Sequence, residues 1–448
     1  MNVATIERNR WLVVIGALLI QVALGAIYAW SVFTPALTKS QAEGGFGFTA
    51  TQTQWVFSLG IATFAVFTII GGRLQAKLGP RPIAALGGLC LGTGYVLAGL
   101  FGQEFIAQLL LIGLLGGAGI GLAYVCPIAV GIKWYPDKKG LITGLAVAGF
   151  GFGATLWIAL AGDMGGLIGG HLIESIGVLK VFTVYGIAFF VFVGLGSLVM
   201  VNPRPDWTPA GWTPAQANAA ASAREFTSTA MLKTGQFYGL WLSYVAGALA
   251  GLMVIGIIKL FGADALQAKG NMTAEQAAAA ATLAAGVFLP LGNGIGRLAW
   301  GGISDRIGRK NSLTLAAIIQ AIVMFAFFFV GGVPVLLFTA TAIVGFNFGG
   351  NLALFPVMTA DFFGPKSVGM NYGWMFTAYG VGGIVGPIMA GAFKDAGKAA
   401  AETGGVQAAA NAWLPAFLIS GALCVVAAII LFALRPPKVQ EEVLQKAA

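Results

Sequence analysis

Long apolar stretches separated by short polar segments run along the whole chain. Each stretch reaches the roughly 20 residues that an α-helix needs to cross the hydrocarbon core of a bilayer. The apolar residues do not alternate with polar ones, as they would in the strands of a transmembrane β-barrel. The pattern therefore predicts an all-α integral membrane protein with twelve spanning helices. These are predicted over residues 11–37, 52–72, 81–101, 105–133, 140–162, 180–201, 237–262, 276–302, 311–331, 334–361, 368–393 and 411–434.

The composition is that of a membrane protein. The 448 residues are 58% hydrophobic and only 9% charged, whereas about 25% of the residues of a typical soluble domain are charged. Cys90, Cys126 and Cys424 all fall in predicted helices, which indicates small apolar residues rather than disulfide partners.

The net charge of +9 comes from basic residues that are unevenly distributed. If the N-terminus lies inside, eighteen of the 25 Lys and Arg residues fall in cytoplasmic segments, six fall outside, and Arg297 lies within a span. An excess of basic residues is typical of cytoplasmic loops. We therefore expect a multi-pass protein of the cell (inner) membrane with both termini cytoplasmic, and no nucleic-acid partner.

The two halves of the chain repeat at an offset of 229 residues. At this offset Gly72 matches Gly301, Pro127 matches Pro356, and several further glycines and prolines coincide. A direct repeat of six helices gives halves with the same topology, related by a pseudo-two-fold axis along the membrane normal. We expect two six-helix bundles with a cavity between them. The predicted segments are an N-terminal bundle at 1–201, a cytoplasmic linker at 202–236 with a short amphipathic helix at 215–228, a C-terminal bundle at 237–434 and a cytoplasmic tail at 435–448.

Two loops carry matching glycine and basic residues, GRLQAKLGPR at 72–81 and GISDRIGRK at 302–310. They resemble the loop 2–3 and loop 8–9 motifs of the major facilitator superfamily. The resemblance implies a conformational latch, in which an acidic residue caps a neighbouring helix and basic residues contact lipid and loop partners. The latch residues implied here are Gly72, Gly79, Arg81, Asp305, Arg306, Gly308 and Arg309. Ala76 replaces the usual aspartate in the first copy, so we expect a weaker latch on that side.

Five stretches resemble the oxalate/formate antiporter family and its bacterial monocarboxylate-transporter relatives. They are ALGAIYAWSVF at 23–33, KWYPDKKGLITG at 133–144, NGIGRLAWGGISDRIGR at 293–309, ALFP at 353–356 and NYGWMFTAYG at 371–380. The resemblance implies that Arg297, in the eighth predicted helix, binds the substrate carboxylate. Oxalate-type members carry a second cation, a lysine in helix 11, where this chain has Tyr379. One fixed cation suits a monoanion better than a dianion, whose second charge would stay uncompensated in a low-dielectric cavity.

Arg297 is also the one Arg or Lys residue that the pattern places well inside a predicted span. Such a charge costs at least ~2.5–3.5 kcal/mol on insertion scales and by default marks a functional site. A structural role stays open, because a long side chain can reach the membrane surface or a helix C-terminus. Asn293 lies four residues earlier on the same helical face. It could orient the guanidinium, bind substrate or join two helices.

Aromatic and amide side chains complete the candidate site. The predicted substrate-binding residues are Arg297, Asn293, Tyr28, Tyr124, Tyr379, Phe348 and Asn351. Tyrosine hydroxyls can donate to a carboxylate or an α-hydroxyl, although aromatic residues in spans more often pack or lie at the membrane interface. Asn347 and Asn351 share a helix face, and hydrogen bonding between helices is the alternative role for both.

No catalytic, cofactor-binding or metal-binding pattern accompanies these residues. His171, the only histidine, lies in a predicted external loop, and no phosphate-binding loop follows a strand. Asp163, Asp264 and Asp361 lie near span ends and are expected to be solvated boundary charges. We therefore expect a protein that is not an enzyme and needs no cofactor. We also expect it to be a monomer.

The paired latch loops and the buried cation favour secondary active transport of a small organic anion. The preferred form is proton-coupled symport of a monocarboxylate such as lactate or pyruvate, and oxalate/formate-type anion exchange is the alternative. A membrane sensor that keeps the fold without translocating substrate is the alternative from another class. The expected partners are the anion, a proton as coupling ion and membrane lipid.

Overall fold

The computed structural model describes residues 9–33, 36–37, 39–48, 50–161, 172–204, 207–209 and 225–437. Within these residues all regular structure is helical, and eleven helices are long and apolar enough to cross a membrane. The predicted span 368–393 lies outside those eleven, in the helix Val368–Asn411.

Twelve long helices, numbered in chain order, make up most of the described structure. They are α1 (Trp11–Leu24), α2 (Ala50–Leu78), α3 (Pro80–Phe101), α4 (Phe105–Trp134), α5 (Lys139–Ala161), α6 (Val178–Ser197), α7 (Gly235–Gly270), α8 (Ala274–Ile307), α9 (Arg309–Val330), α10 (Pro334–Phe363), α11 (Val368–Asn411) and α12 (Leu414–Ala433). Short π-helical segments occur within α4 at Leu109–Gly116 and within α8 at Ala284–Phe288. The predicted all-α class is confirmed.

The 229-residue repeat extends to the helix boundaries. α3 and α9 begin and end at matching positions, and so do α4 and α10. Gly79 and Gly308, which separate α2 from α3 and α8 from α9, both have a φ of +87°, a left-handed conformation that glycine adopts without steric cost. Pro127 and Pro356 lie inside α4 and α10 at equivalent positions. The prediction of two six-helix bundles of the same topology is confirmed.

The halves pack together along two helix pairs, α2 with α11 and α5 with α8. A Cβ atom on Gly72 would lie 2.2 Å from the carbonyl oxygen of Gly369, and one on Gly301 would lie 2.5 Å from that of Gly140. The two contacts are equivalent in the repeat. Because small residues let helix backbones approach this closely, the glycines of the repeated loops close the same end of both interfaces.

The first predicted span, 11–37, is not a single α-helix. α1 ends at Leu24, and the chain continues as a 3₁₀ segment, Gly25–Val32. This segment is tied to α2, because Nε1 of Trp30 donates to the carbonyl oxygen of Thr53 over 2.8 Å. Hydropathy alone predicts the apolar run but not this change of helix type.

Several other helix ends lie outside the predicted ranges. α8 begins at Ala274 because Thr273 and Gln276 form a reciprocal capping box, a polar device that hydropathy does not detect. α7 continues past residue 262 to Gly270, and α11 continues past residue 393 with a non-helical break at Gly405. The extra turns are less apolar than the spans, so hydropathy places these ends too early.

The end of the linker is fixed to the C-terminal half. The amide of Phe226 donates to the carbonyl oxygen of Phe363 over 2.9 Å, and Nδ2 of Asn371 donates to the carbonyl oxygen of Phe226. A short helix, Ser228–Met231, follows. Most of the amphipathic helix predicted at 215–228, the tail from residue 438, Asp163 and His171 lie outside the described residues.

Candidate functional site

Arg297 lies at the interface between α5 and α8 and is 0% exposed. Its Nε donates to Oδ1 of Asn293, one turn earlier, over 2.8 Å. Its Nη1 donates to the main-chain carbonyl oxygen of Val147 in α5 over 2.7 Å. Nη2 has no hydrogen-bond partner. The guanidinium therefore joins the two halves while one of its nitrogens stays unused.

The backbones around Arg297 are packed at glycine contacts. A Cβ atom on Gly144 of α5 would lie 2.2 Å from the Arg297 carbonyl oxygen. One on Gly349 of α10 would lie 2.1 Å from the carbonyl oxygen of Asn293 and 3.2 Å from Cγ of Arg297. α8 is thus held between α5 and α10, which sets the position of the arginine.

Aromatic rings surround the guanidinium. Its central carbon lies 5.3 Å from the ring centroid of Phe150, within the range of a cation–π contact. Tyr28 and Tyr124 pack edge-on against Phe150, with centroid distances of 5.1 and 5.7 Å. Phe150 thus lies against the guanidinium and against both tyrosines. The structure therefore brings these two predicted residues to the arginine.

Two further tyrosines, Tyr244 of α7 and Tyr372 of α11, lie in the same region but were not among the predicted site residues. Their hydroxyls are 3.4 Å apart, and the Tyr244 ring lies 6.4 Å from that of Tyr379. Tyr372 shares a helix face with Tyr379 through its seven-residue spacing, which is a usable sequence signal. Tyr244 lies in a helix without a distinct polar face, so its pattern gives no such signal.

Tyr379 and Phe348 occupy the C-terminal side of this aromatic cluster. Tyr379 stacks on Phe376 with ring centroids 4.8 Å apart, and its ring lies 6.3 Å from that of Phe348. The Tyr379 ring is also 6.2 Å from Phe64, which in turn packs 5.0 Å from Tyr124. The hydroxyl of Tyr379 is buried without a hydrogen-bond partner. It is therefore available as a donor to a bound molecule.

The structure does not bring Asn351 to Arg297. Gly349 of α10 faces α8, and two residues along a helix correspond to a rotation of about 200°. Asn351 instead packs against Gly247 of α7 and lines a small cavity within the C-terminal half, which it shares with Asn347. Asn351 is distant from the arginine because it lies on the face of α10 that is turned away from α8.

The hydrogen-bond partners of the Arg297 guanidinium among the described residues are the Asn293 side-chain amide and the Val147 carbonyl oxygen, both of which are uncharged. A charge taken out of water without a partner is strongly destabilising. An anion bound at Nη2 would offset that cost through charge-assisted hydrogen bonds. Within the same residues, no cluster of His, Cys, Asp or Glu is arranged to hold a metal ion.

Asp305 closes the loop end of the α5–α8 interface. Its two carboxylate oxygens accept hydrogen bonds from the amides of Gly140 and Leu141, over 3.0 and 2.8 Å. These amides belong to the first turn of α5, where N–H groups lack intrahelical partners and negative charge is favourable. The carboxylate of the C-terminal half thus caps a helix of the N-terminal half.

Arg309 supports this cap from α9. It forms an ion pair with Asp305, donates from Nη1 to the carbonyl oxygen of Ser304, and lies 3.5 Å from Asp361 of α10. Asp361 is therefore paired with Arg309 rather than being the solvated boundary charge expected from sequence. Asp264 also departs from that expectation, because its Oδ2 accepts a hydrogen bond from Nε1 of Trp413.

The α2–α11 interface has different contacts at the equivalent position. Ala76 is exposed and has no carboxylate to offer. The Gln75 amide packs against Gly369, and the Arg73 guanidinium lies 5.5 Å from the Trp374 ring centroid. The basic positions do not differ in exposure: Arg81 and its equivalent Lys310 are half-buried, and Arg306 and its equivalent Lys77 are exposed. This interface thus has an amide contact and a cation–π contact, whereas the α5–α8 interface has the Asp305 carboxylate as a helix cap.

Known proteins share this architecture along most of the chain. The family model of the Major Facilitator Superfamily matches residues 19–292 and 261–448. An uncharacterized MFS-type transporter, YhjX, of Escherichia coli (strain K12) is 28% identical, over 86% of this chain and 88% of that protein. An oxalate:formate antiporter of Oxalobacter formigenes is 27% identical, over 84% and 83% of the two chains. Apicoplast pyruvate carrier 1 of Toxoplasma gondii is 25% identical, over 83% and 82%.

The fold is also found in a solved transporter structure. FucP in its outward conformation superposes with a TM-score of 0.64 at 17% identity, covering 95% of this chain and 99% of that one. At this identity the likeness concerns the fold alone. The family match spans both repeated halves and both latch loops, and it confirms the resemblance inferred from their motifs. The chain belongs to the Major Facilitator Superfamily.

Proposed function

We propose that this transporter binds small monocarboxylates at Arg297 and carries them with a proton by alternating access. The observation that carries the proposal is the fully buried guanidinium with an unpartnered Nη2. Carboxylate and phosphate groups both accept two parallel N–H donors from an arginine, here Nη2 together with Nη1 once the Nη1 bond to Val147 is broken. The relatives named as an oxalate:formate antiporter and a pyruvate carrier support a carboxylate over phosphate.

The surroundings of the arginine favour a single negative charge on the substrate. Tyr379 occupies the place of the second cation that the resemblance associates with oxalate. Its ring lies 6.2 Å from that of Phe64, which stacks 6.1 Å from Phe150 beside Arg297. A second carboxylate would have to be buried among these rings without a counter-charge. Lactate and pyruvate place a neutral hydroxyl or carbonyl there, which tyrosine hydroxyls can bond.

Access to Arg297 requires the halves to move. The residue is buried in the present state, and its bond to Val147 crosses the α5–α8 interface. The latch around Asp305 closes the loop end of that interface, so substrate enters when the halves separate at the opposite end. In the other state the Val147 bond is broken, and a bound carboxylate replaces the lost acceptor.

A proton gives electroneutral transport of a monoanion. Moving an uncompensated monoanion across the membrane changes its free energy by ~2.3 kcal/mol per 100 mV of membrane potential. Proton symport removes this term, and exchange of two monoanions does so without a proton carrier. The oxalate:formate relative favours exchange as the second candidate. We assign symport because the chain also resembles monocarboxylate transporters.

The proposed topology places the latch loops and both termini in the cytoplasm of a cell (inner) membrane protein. The excess of basic residues in those segments supports this orientation. Both bundles and the interface between them come from one chain, so a monomer contains the complete site. The proposal keeps the predicted segments, in which the N-terminal bundle ends at residue 201, the linker at 236 and the C-terminal bundle at 434.

Proteoliposomes loaded with a pH-sensitive dye test the function. With an inward anion gradient, lactate or pyruvate uptake is expected to acidify the lumen without any internal anion. Uptake that leaves internal pH unchanged and requires an internal anion would assign exchange instead. Binding without flux of any monocarboxylate or of oxalate would indicate a non-translocating sensor.

A further inference from the structure

A small cavity with a partly polar lining lies inside the C-terminal half, between α7, α9, α10 and α12. It has a volume of about 20 Å³. Its polar lining consists of Ser243, Gln320, Asn347 and Asn351, and Cys424 also borders it. The cavity is separate from the Arg297 guanidinium, which faces α5 in the other half. None of the functions proposed above uses it.

Three polar atoms around this cavity have no hydrogen-bond partner. Gln320 is only 4% exposed, and neither Nε2 nor Oε1 is bonded. Asn347 is 2% exposed, and its Nδ2 is likewise unbonded. In native proteins roughly 90% or more of buried polar groups are paired with protein or ordered water. Three unpaired atoms beside one cavity therefore indicate a missing partner.

The fold itself does not require these amides. At the repeat offset of 229 residues, Gln320 corresponds to Leu91 and Asn347 to Ala118 in the N-terminal half. Leu91 packs directly against Gly119 there. The same helix pair is thus built from apolar residues in one half and from two amides in the other. The amides serve a purpose particular to the C-terminal half.

We propose that the cavity holds one ordered water molecule that bridges Gln320 of α9 and Asn347 of α10. A water needs about 10–15 Å³ of such volume and two to four polar partners, and both conditions are met. The space is too small for a carboxylate substrate. The site presents uncharged amide donors and acceptors, which suit water better than an ion that must shed its hydration shell.

The bridge leads to the helix that carries Arg297. Oδ1 of Asn347 accepts a hydrogen bond from Nε1 of Trp300 over 3.2 Å, and Trp300 lies three residues after Arg297 on α8. The indole also packs against Gly350 of α10. Gln320 is therefore a positioning residue: through the water it holds Asn347 of α10, which in turn accepts the hydrogen bond from Trp300 of α8. The positioning role of Gln320 rests on the proposed function, whereas the presence of the water does not.

Hydroxyl-radical footprinting by X-ray radiolysis tests the water in the full-length protein. Radicals form from trapped water and oxidise adjacent side chains. Cys424 borders the cavity and Cys126 lies in the other half, and the two are equally buried at 1% and 0% exposed. In ¹⁸O-labelled water Cys424 is expected to oxidise severalfold faster than Cys126. Equal rates would overturn the proposal, and this comparison needs no variant.

Gln320→Leu then tests the bridge. The variant removes both amide atoms at similar volume, so Cys424 oxidation is expected to fall to the rate of Cys126. An unchanged rate would show that Gln320 does not hold the water. Gln320→Asn, which keeps an amide, is expected to recover part of the difference.

Transport kinetics test the positioning role separately. Gln320→Leu is expected to raise the KM for lactate or pyruvate several-fold with little change in kcat, and Gln320→Asn to restore it in part. An unchanged KM would contradict the positioning role. If the wild-type chain moves no monocarboxylate, the proposed function fails, while the Cys424 result still decides whether the water exists.

Discussion

Arg297 of the C-terminal half donates a hydrogen bond from Nη1 to the main-chain carbonyl oxygen of Val147 in the N-terminal half, over 2.7 Å. Thr68 stands at the position equivalent to Arg297 in the repeat, and its hydroxyl bonds to the carbonyl oxygen of Phe64 within its own helix. The two interfaces thus share backbone packing but differ in charge. At this position one interface carries a buried arginine and the other carries a threonine.

Neutralising Asp305 is expected to weaken the closed loop end. Asp305→Asn keeps one acceptor for the amides of Gly140 and Leu141 but loses the negative charge at the α5 N-terminus. Charges in such positions contribute ~0.3–1 kcal/mol, and up to ~2 kcal/mol when partly buried. Electron-spin distance measurements between labels at the exposed positions Lys77 and Asn311 should show a larger open population.

Ala76→Asp is the counterpart of that variant in the first copy of the loop. It places a carboxylate near the first turn of α11, where the repeat equivalent of the Asp305 cap is absent. The closed population should increase in the same distance measurement. If Asp305→Asn leaves the distances unchanged, the carboxylate does not contribute to the latch.

A methyl group on Gly301 is expected to force α5 and α8 apart. Its Cβ would lie 2.5 Å from the Gly140 carbonyl oxygen, which cannot move without shifting the backbone. Overpacking of this kind costs ~1–3 kcal/mol. Thermal unfolding of Gly301→Ala should therefore occur at a lower temperature than for wild type, with a larger open population.

Gly302→Ala is the matched control for this substitution. The nearest atom to its Cβ would be Cδ1 of Leu141 at 3.7 Å, an ordinary van der Waals contact, and the helix propensity gain is the same. Equal effects of the two variants would contradict the close approach at Gly301.

A lysine at Tyr379 is expected to change the preferred charge of the substrate. Tyr379→Lys supplies the second cation that oxalate-type members carry, so oxalate should compete with lactate uptake more strongly than in wild type. Tyr379→Phe removes the hydroxyl without adding charge and should not create oxalate competition. If wild type already prefers oxalate to every monoanion, the inference from Tyr379 is wrong.

Sequence reasoning predicts helices and charges well but side-chain neighbours poorly. The all-α class, the 229-residue repeat and the buried Arg297 follow from hydropathy and spacing, because a bilayer imposes length and polarity on every span. The positions of Tyr244 near Arg297 and of Asn351 away from it could not be predicted, because a span that is apolar on all sides does not show which face is turned toward the site. Close glycine contacts determine which side of α10 packs against α8, and hydropathy does not predict such contacts.

Uptake by Arg297→Lys in proteoliposomes tests the central claim most directly, with the exposed Arg435→Lys as the matched control. Lysine keeps the charge but lacks the planar fork that matches a carboxylate. Loss of one charge-assisted hydrogen bond of ~1.5–3 kcal/mol corresponds to about a 10- to 150-fold lower kcat/KM. We predict that loss for lactate or pyruvate in Arg297→Lys and wild-type values in Arg435→Lys. Wild-type kcat/KM in Arg297→Lys would contradict carboxylate binding at this residue.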